Sequence, residues 1–443
     1  MDVSSLLKIR ANLLSTWGAR SVLSLADQSI TSGSSFLLNA WLARSLSPES
    51  YGAFAVAFAG FLFVSGFHNV IFVEPMTVIG PSSYSERISD YMHAQLRGNL
   101  IIVCVVAGLA LAAGAFLSLS GSRGPLVNAI SAAGVGAPLI LIFWLTRRMC
   151  YVVQNPLISA QGSALYLALL FAGILGLQRF GRLGPGTGFL LMGGAGTVAS
   201  VFIFRRLGLP LSVLTANSSP SLRQVLSENW TYGRWLTLTT ILSWVSLQAQ
   251  TFLAAGILGL STAGVLRAMQ LPSLAMTQVI VATTLMLLPT LSAELGRGNL
   301  ERLRQKAVLA SVCLAGLGLV FAIGLFLTAG PVERLLFGGR YASTAWLIPV
   351  LGLAPVFAGL SAGLSLALRT LGKSEFELLA YVLSSVASLG SALVLMPKWG
   401  LPGAVASIVG STAFLAIAVL GCFLKWGRGS AANVRELQVE EAL

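Results

Sequence analysis

Apolar stretches, each about 20 residues long and so able to cross a bilayer, recur through most of this 443-residue chain. They fall at 20–44, 52–73, 99–120, 126–146, 157–178, 187–204, 233–256, 268–292, 306–329, 342–368, 376–396 and 402–424. The runs are too long and too continuously apolar for barrel strands, and backbone groups in hydrocarbon must be satisfied within their own segment. The pattern therefore predicts an all-α membrane protein with about 12 transmembrane helices. Ahead of the first run, Leu6, Leu7, Leu13, Leu14 and Trp17 share one face, as suits a helix lying in the membrane interface.

Composition supports that reading. Charged residues make up 10% of the chain and hydrophobic ones 56%, against about 25% charged in a soluble domain. Of the 28 basic residues, 20 fall on the side of the N-terminus and 8 on the other, which places both termini in the cytoplasm. The net charge of +13 is then accounted for by topology and anionic membrane lipids, and no nucleic acid is implied. Cys104, Cys150, Cys313 and Cys422 show no paired spacing and read as small hydrophobes.

The longest basic connection divides the chain. An N-terminal lobe of six spans with the interfacial helix covers 1–204, a cytoplasmic linker 205–232, a C-terminal lobe of six spans 233–425, and a cytoplasmic tail 426–443. Sliding one half over the other by 212 positions lays Leu46–Gly52 on Leu258–Gly264 and Gly52 on Gly264. Asp27, Thr31 and Ser34 then fall on Thr239, Ser243 and Ser246, and Asn39 on Thr251. A shared register of this kind suggests two related bundles in parallel orientation, as in several transporter folds.

Polar residues within the spans mark candidate chemistry. Gln28, Thr31, Ser35 and Asn39 recur at helical spacing on the first span, and Thr239, Ser243, Ser246 and Gln250 on the seventh. Such stripes avoid lipid tails, and face either a partner helix or a wet cavity between the halves. Asp27 is a candidate for binding H⁺ or Na⁺, or for pairing with a basic group, as are His68 and Glu74 for ion coupling, since buried ionisable groups are costly. Arg147 and Arg148 suit an anion but equally follow the positive-inside bias; Arg267, followed by Gln270, runs against that bias. Guanidinium forks match phosphate oxygens.

Enzyme signatures are missing: no GxSxG, P-loop, HExxH or CxxC occurs, and two histidines cannot build a histidine metal site. No catalytic residue, metal or cofactor is expected. Without an ATP site, uphill movement would draw on an ion gradient or on consumption of the product.

Leu46-Ser47-Pro48-Glu49-Ser50-Tyr51-Gly52, Leu260-Ser261-Thr262-Ala263-Gly264 with Arg267 and Gln270, and the charged loop from Glu294 to Lys306 carry a family resemblance. Leu335-Leu336-Phe337-Gly338-Gly339-Arg340-Tyr341, Ala367-Leu368-Arg369-Thr370-Leu371-Gly372-Lys373 and Trp399-Gly400-Leu401-Pro402-Gly403-Ala404 extend it. In this order the chain resembles the multidrug, oligosaccharidyl-lipid and polysaccharide flippase superfamily, and within it the Wzx-type polysaccharide transporters. That resemblance implies two six-helix lobes around a central cavity in the bacterial inner membrane. The cavity would carry an undecaprenyl-pyrophosphate-linked oligosaccharide to the outer leaflet by alternating access, for polysaccharide or O-antigen export, with a glycan polymerase and glycosyltransferases as partners beside the membrane lipids. Gln28, Thr31, Ser35, Asn39, Ser243, Ser246, Gln250 and Gln270 would meet sugars, and Arg147, Arg148 and Arg267 the anion. The alternatives are an H⁺- or Na⁺-coupled multidrug antiporter of the same superfamily, using Asp27, and a membrane scaffold for glycan synthesis that transports nothing.

Overall fold

A computed structural model describes residues 3–121, 124–208 and 220–426; side chains of 3–19, 21, 235, 239, 243, 246, 247, 285 and 426 are outside the described set. The predicted face on 1–19, most of the linker and nearly all of the tail therefore lie outside the described residues. All regular structure among the described residues is helical. The helices are α1 (Val3–Ser45), α2 (Pro48–His68), α3 (Glu74–Ser83), α4 (Ile88–Leu119), α5 (Pro125–Val152), α6 (Pro156–Arg179) and α7 (Thr187–Leu207). They continue as α8 (Leu222–Leu258), α9 (Leu260–Gly296), α10 (Leu300–Phe337), α11 (Leu347–Leu351), α12 (Ala354–Thr370), α13 (Ser374–Trp399) and α14 (Leu401–Trp426). Each predicted span is matched by helix, except that 342–368 is broken into a 3-10 turn at Ala342–Thr344, α11 and α12; 10 segments, among the described residues, are long and apolar enough to cross a membrane.

Several helices run past the apolar runs that predicted them. α1 continues without a break from Val3 through the first span, so no separate element precedes it. α2 and α3 are joined by a five-residue π-turn, Asn69–Val73, in which Glu74 N–H bonds Asn69 O. Pro75 explains the widening: it has no N–H, and its ring crowds the carbonyl a turn earlier. In α10 the backbone leaves helical geometry at Thr328 (φ −122°), three residues before Pro331.

The chain forms two compact units, Met1–Leu38 with Ala57–Thr240, and Asn39–Val56 with Ile241–Leu443. In the first, α5 packs against α4, α6 and α7, and Phe72, Met76, Tyr91, Leu145, Met149 and Val225 form a core cluster. In the second, α12 packs against α9, α10 and α14, and α13 against α14; Leu291, Leu303, Leu364, Ala380 and Val419 form one of its cores.

Within the second unit, the start of α2 crosses the start of α9 at backbone contact. A Cβ on Gly52 would stand 1.8 Å from Leu260 O, and one on Gly264 would stand 2.1 Å from Pro48 O. Both pairs, Gly52 with Gly264 and Pro48 with Leu260, lie 212 residues apart in the sequence, and each glycine presses on the other helix's carbonyl. Gly52→Ala should destabilise the protein by about 3 kcal/mol or more, because the obstacle is backbone and cannot swing aside. Gly33→Ala in α1, where a Cβ would meet nothing within 4 Å, should be neutral or stabilising by up to ~1 kcal/mol. Thermal unfolding of the two variants in detergent checks the contrast; equal midpoints would contradict it.

Candidate functional site

Asp27 lies fully buried in α1 and is met by five donors. From α5, Arg147 gives Nη2 to Oδ2 at 2.7 Å and Nε to Oδ1 at 3.3 Å, and Tyr151 gives its hydroxyl to Oδ2 at 2.6 Å. From α6, Ser159 donates to Oδ2 at 2.9 Å and Ser163 to Oδ1 at 2.5 Å. Thr31, one turn along α1, lies 3.2 Å from Ser163 Oγ. Arg147 is itself buried, with its guanidinium 5.8 Å from the Phe143 ring centre, while Arg148 is half-buried over Tyr151 at 5.5 Å. A carboxylate has about four lone-pair positions, so this one is filled.

The first-span stripe splits into two faces. Asp27, Thr31 and Ser34 are buried; Gln28 is exposed and donates to Ser32 Oγ at 3.3 Å, and Ser35 is half-buried. Asn39 belongs to the second unit, buried, with Oδ1 3.4 Å from the Tyr51 hydroxyl. On α8, Ser243 and Ser246 are outside the described side chains. Gln250 is buried and committed: Nε2 donates to Ser388 O at 3.1 Å and Ser388 Oγ at 2.7 Å, and Oε1 accepts from Ser407 at 3.1 Å. This amide joins α8 to α13 and α14.

Arg267 differs from the other deeply placed arginine. It is 6% exposed on α9, its Nε has no hydrogen-bond partner, and no ion pair reaches it among the described residues. Gln270, one turn on, is half-buried. Elsewhere in the first unit, His68 Nε2 lies 2.8 Å from Asn99 Oδ1, and Glu74 Oε1 accepts from Tyr232 at 3.3 Å. Thus Asp27 and Arg147 come together, Arg148 beside them; Gln250, His68 and Glu74 each sit in separate contacts.

Tyr151, Ser159, Ser163, Ser388, Ser407 and Asn99 escaped the sequence reading. Ser159 and Ser163, one turn apart on an otherwise apolar helix, and Tyr151, one turn after Arg147, were the available signals.

Residues 198–346 match the family described as polysaccharide biosynthesis protein. Among curated proteins no match was found. The fold is similar to that of an inward-facing multidrug resistance MATE family transporter of the MOP superfamily: 16% identity, 93% of this chain and 99% of that one, TM-score 0.77. It is also similar to the lipid II flippase MurJ in an inward closed conformation, at 12% identity over 92% of this chain and 87% of that one, TM-score 0.69. A third neighbour is a MOP superfamily transporter from Pyrococcus furiosus whose binding pocket is described as reversed in polarity, at 16% identity, 94% and 96% coverage and TM-score 0.65. The chain is a multi-pass membrane protein with the fold of the MOP superfamily transporters, and the all-helical architecture expected from the sequence is borne out.

Removing one partner of the Asp27–Arg147 pair strands a buried charge. Arg147→Met should therefore cost about 3–5 kcal/mol, and Asp27→Leu combined with Arg147→Met should recover most of that loss. A double-mutant cycle on thermal unfolding in detergent measures this; additive losses would show that the two charges act independently.

Proposed function

We propose that the protein is a flippase for a lipid-linked oligosaccharide, moving an undecaprenyl-pyrophosphate-bound glycan from the inner to the outer leaflet of a bacterial inner membrane. Arg267 is the observation that carries this reading. A guanidinium left without a counter-charge inside an apolar helix bundle is expensive, and a phosphate oxygen supplies what it lacks. Asp27, by contrast, already has its charge matched by Arg147.

The physical task explains why such a protein is needed. A sugar-pyrophosphate head crossing about 30 Å of hydrocarbon would lose its hydration, whereas a polar route keeps the head wetted and leaves only the polyprenyl tail in lipid. An amide such as that of Gln270, one turn from Arg267, trades hydrogen bonds with sugars without demanding one stereochemistry. Within this fold the pocket's polarity differs between members, as the Pyrococcus furiosus neighbour illustrates, so a buried cation with no ion pair among the described residues points to an anionic cargo. The family match over 198–346, which contains Arg267, agrees with a glycan substrate.

The drug-antiporter alternative needs a first-helix carboxylate open to a cation. The oxygens of Asp27 instead accept five hydrogen bonds, which leaves a proton or Na⁺ to compete with a bidentate arginine. The scaffold alternative gives Arg267 nothing to do.

Purified protein in vesicles carrying a fluorescent polyprenyl-pyrophosphate oligosaccharide in one leaflet is the direct test. Arg267→Ala should slow its appearance in the other leaflet at least tenfold, the equivalent of about 1.4 kcal/mol, and Arg267→Lys should retain part of the rate. Transport unaffected by Arg267→Ala in correctly inserted protein would sink the assignment. Export of a cationic drug that stops in Asp27→Asn would favour the antiporter.

A further inference from the structure

The π-turn in the second span leaves polar groups that neither Asp27 nor Arg267 serves. Glu74 N–H bonds Asn69 O, and Pro75, next in that register, has no N–H to offer Val70 O. Gly233 of α8 faces this carbonyl; a Cβ there would stand 2.7 Å from it, so α8 brings no side chain to the spot.

Next to this turn, His68 is 2% exposed and Asn99 of α4 is fully buried. Their contact, Nε2 to Oδ1 at 2.8 Å, uses half of each group. The other halves, His68 Nδ1 and Asn99 Nδ2, have no partner. Exchanging the amide's two atoms changes nothing in kind: Nδ1 then carries the unmet proton and Oδ1 the unmet lone pairs. Either way one donor and one acceptor are unsatisfied. Covalent geometry keeps the two atoms within about 7 Å of each other, a gap that one or two water molecules span.

Leaving both groups bare inside the bundle would forfeit their hydrogen bonds to water with nothing in return. The guest must both donate and accept. An uncharged guest suits this place, where the ring is stacked on Phe72 with centroids 5.9 Å apart. A polar ladder along α4 stops one helical turn short of the site. Tyr84 donates to Glu228 at 2.9 Å; burial first, then that neighbouring carboxylate, push its hydroxyl up to about 12, so it remains a donor. Tyr84 stacks on Tyr91, whose hydroxyl accepts from Gln95, and Gln95 exchanges amide bonds with Asn229 at 2.9 and 3.1 Å. Asn99 stands one helical turn, about 6 Å, beyond Gln95.

We propose that this widened turn is an internal hydration site, in which bound water bridges His68 Nδ1 and Asn99 Nδ2 and holds the imidazole as its neutral Nε2–H tautomer. The inference is independent of the cargo.

The nitrogen resonances of histidine read this directly. The full-length chain, labelled with ¹⁵N-histidine in lipid nanodiscs, contains two histidines, and His93→Gln assigns the signals; should that variant fold poorly, the unmodified chain gives the same reading. The expected spectrum at neutral pH has one protonated nitrogen and one bare nitrogen shifted by a hydrogen bond, with magnetisation transfer from water to the His68 ring. A nitrogen at the position of a free imidazole, an imidazolium pattern, or the absence of water transfer would each overturn the proposal. Asn99→Leu should abolish the hydrogen-bonded shift, and its persistence would count the same way.

Discussion

A carboxylate can sit inside an apolar helix only if its charge is answered there, and Arg147 answers that of Asp27. The consequence spreads through the first unit. Arg147 anchors α5, Ser159 and Ser163 anchor α6, and Tyr151 closes the ring, so polar bonds around Asp27 tie α1 to both helices. The ion pair buys attachment and orientation more than net free energy, because desolvating both partners offsets much of their attraction.

The same rule, that no polar group in hydrocarbon goes unanswered, distinguishes the polar features from one another. Gln250 answers to Ser388 and Ser407 and thereby fastens α8 to α13 and α14; Gln95 and Asn229 answer one another and fasten α4 to α8. These are closed accounts of hydrogen bonding, and they describe packing. Arg267 and the His68–Asn99 contact are open ones. Function is sought where the protein has left a bond for something else to make.

The all-helical class and the positions of the apolar helices were readable from hydropathy, since the span of a bilayer dictates the length of each apolar run. Helix ends were not, because α8, α9 and α10 continue through polar residues outside the runs, held by backbone bonds that hydropathy does not register. The stripe on the first span was read as one face, whereas Thr31 turns inward and Gln28 outward. A spacing of three or four residues covers a broad arc and does not resolve two adjacent faces. Arg147 was visible as a basic residue, but its partner lies 120 positions away, a distance over which no local pattern carries information. Pro75 was in plain sight; that it widens the helix by one residue depends on how the neighbouring helices accommodate it.

The glycine crossing between α2 and α9 has an evolutionary corollary. Gly52 and Gly264 each abut the other repeat's main chain, so a bulkier residue at one position gains no relief from any change at the other, which already has no side chain to give up. The two positions, 212 residues apart, are thereby bound together to keep the smallest residue.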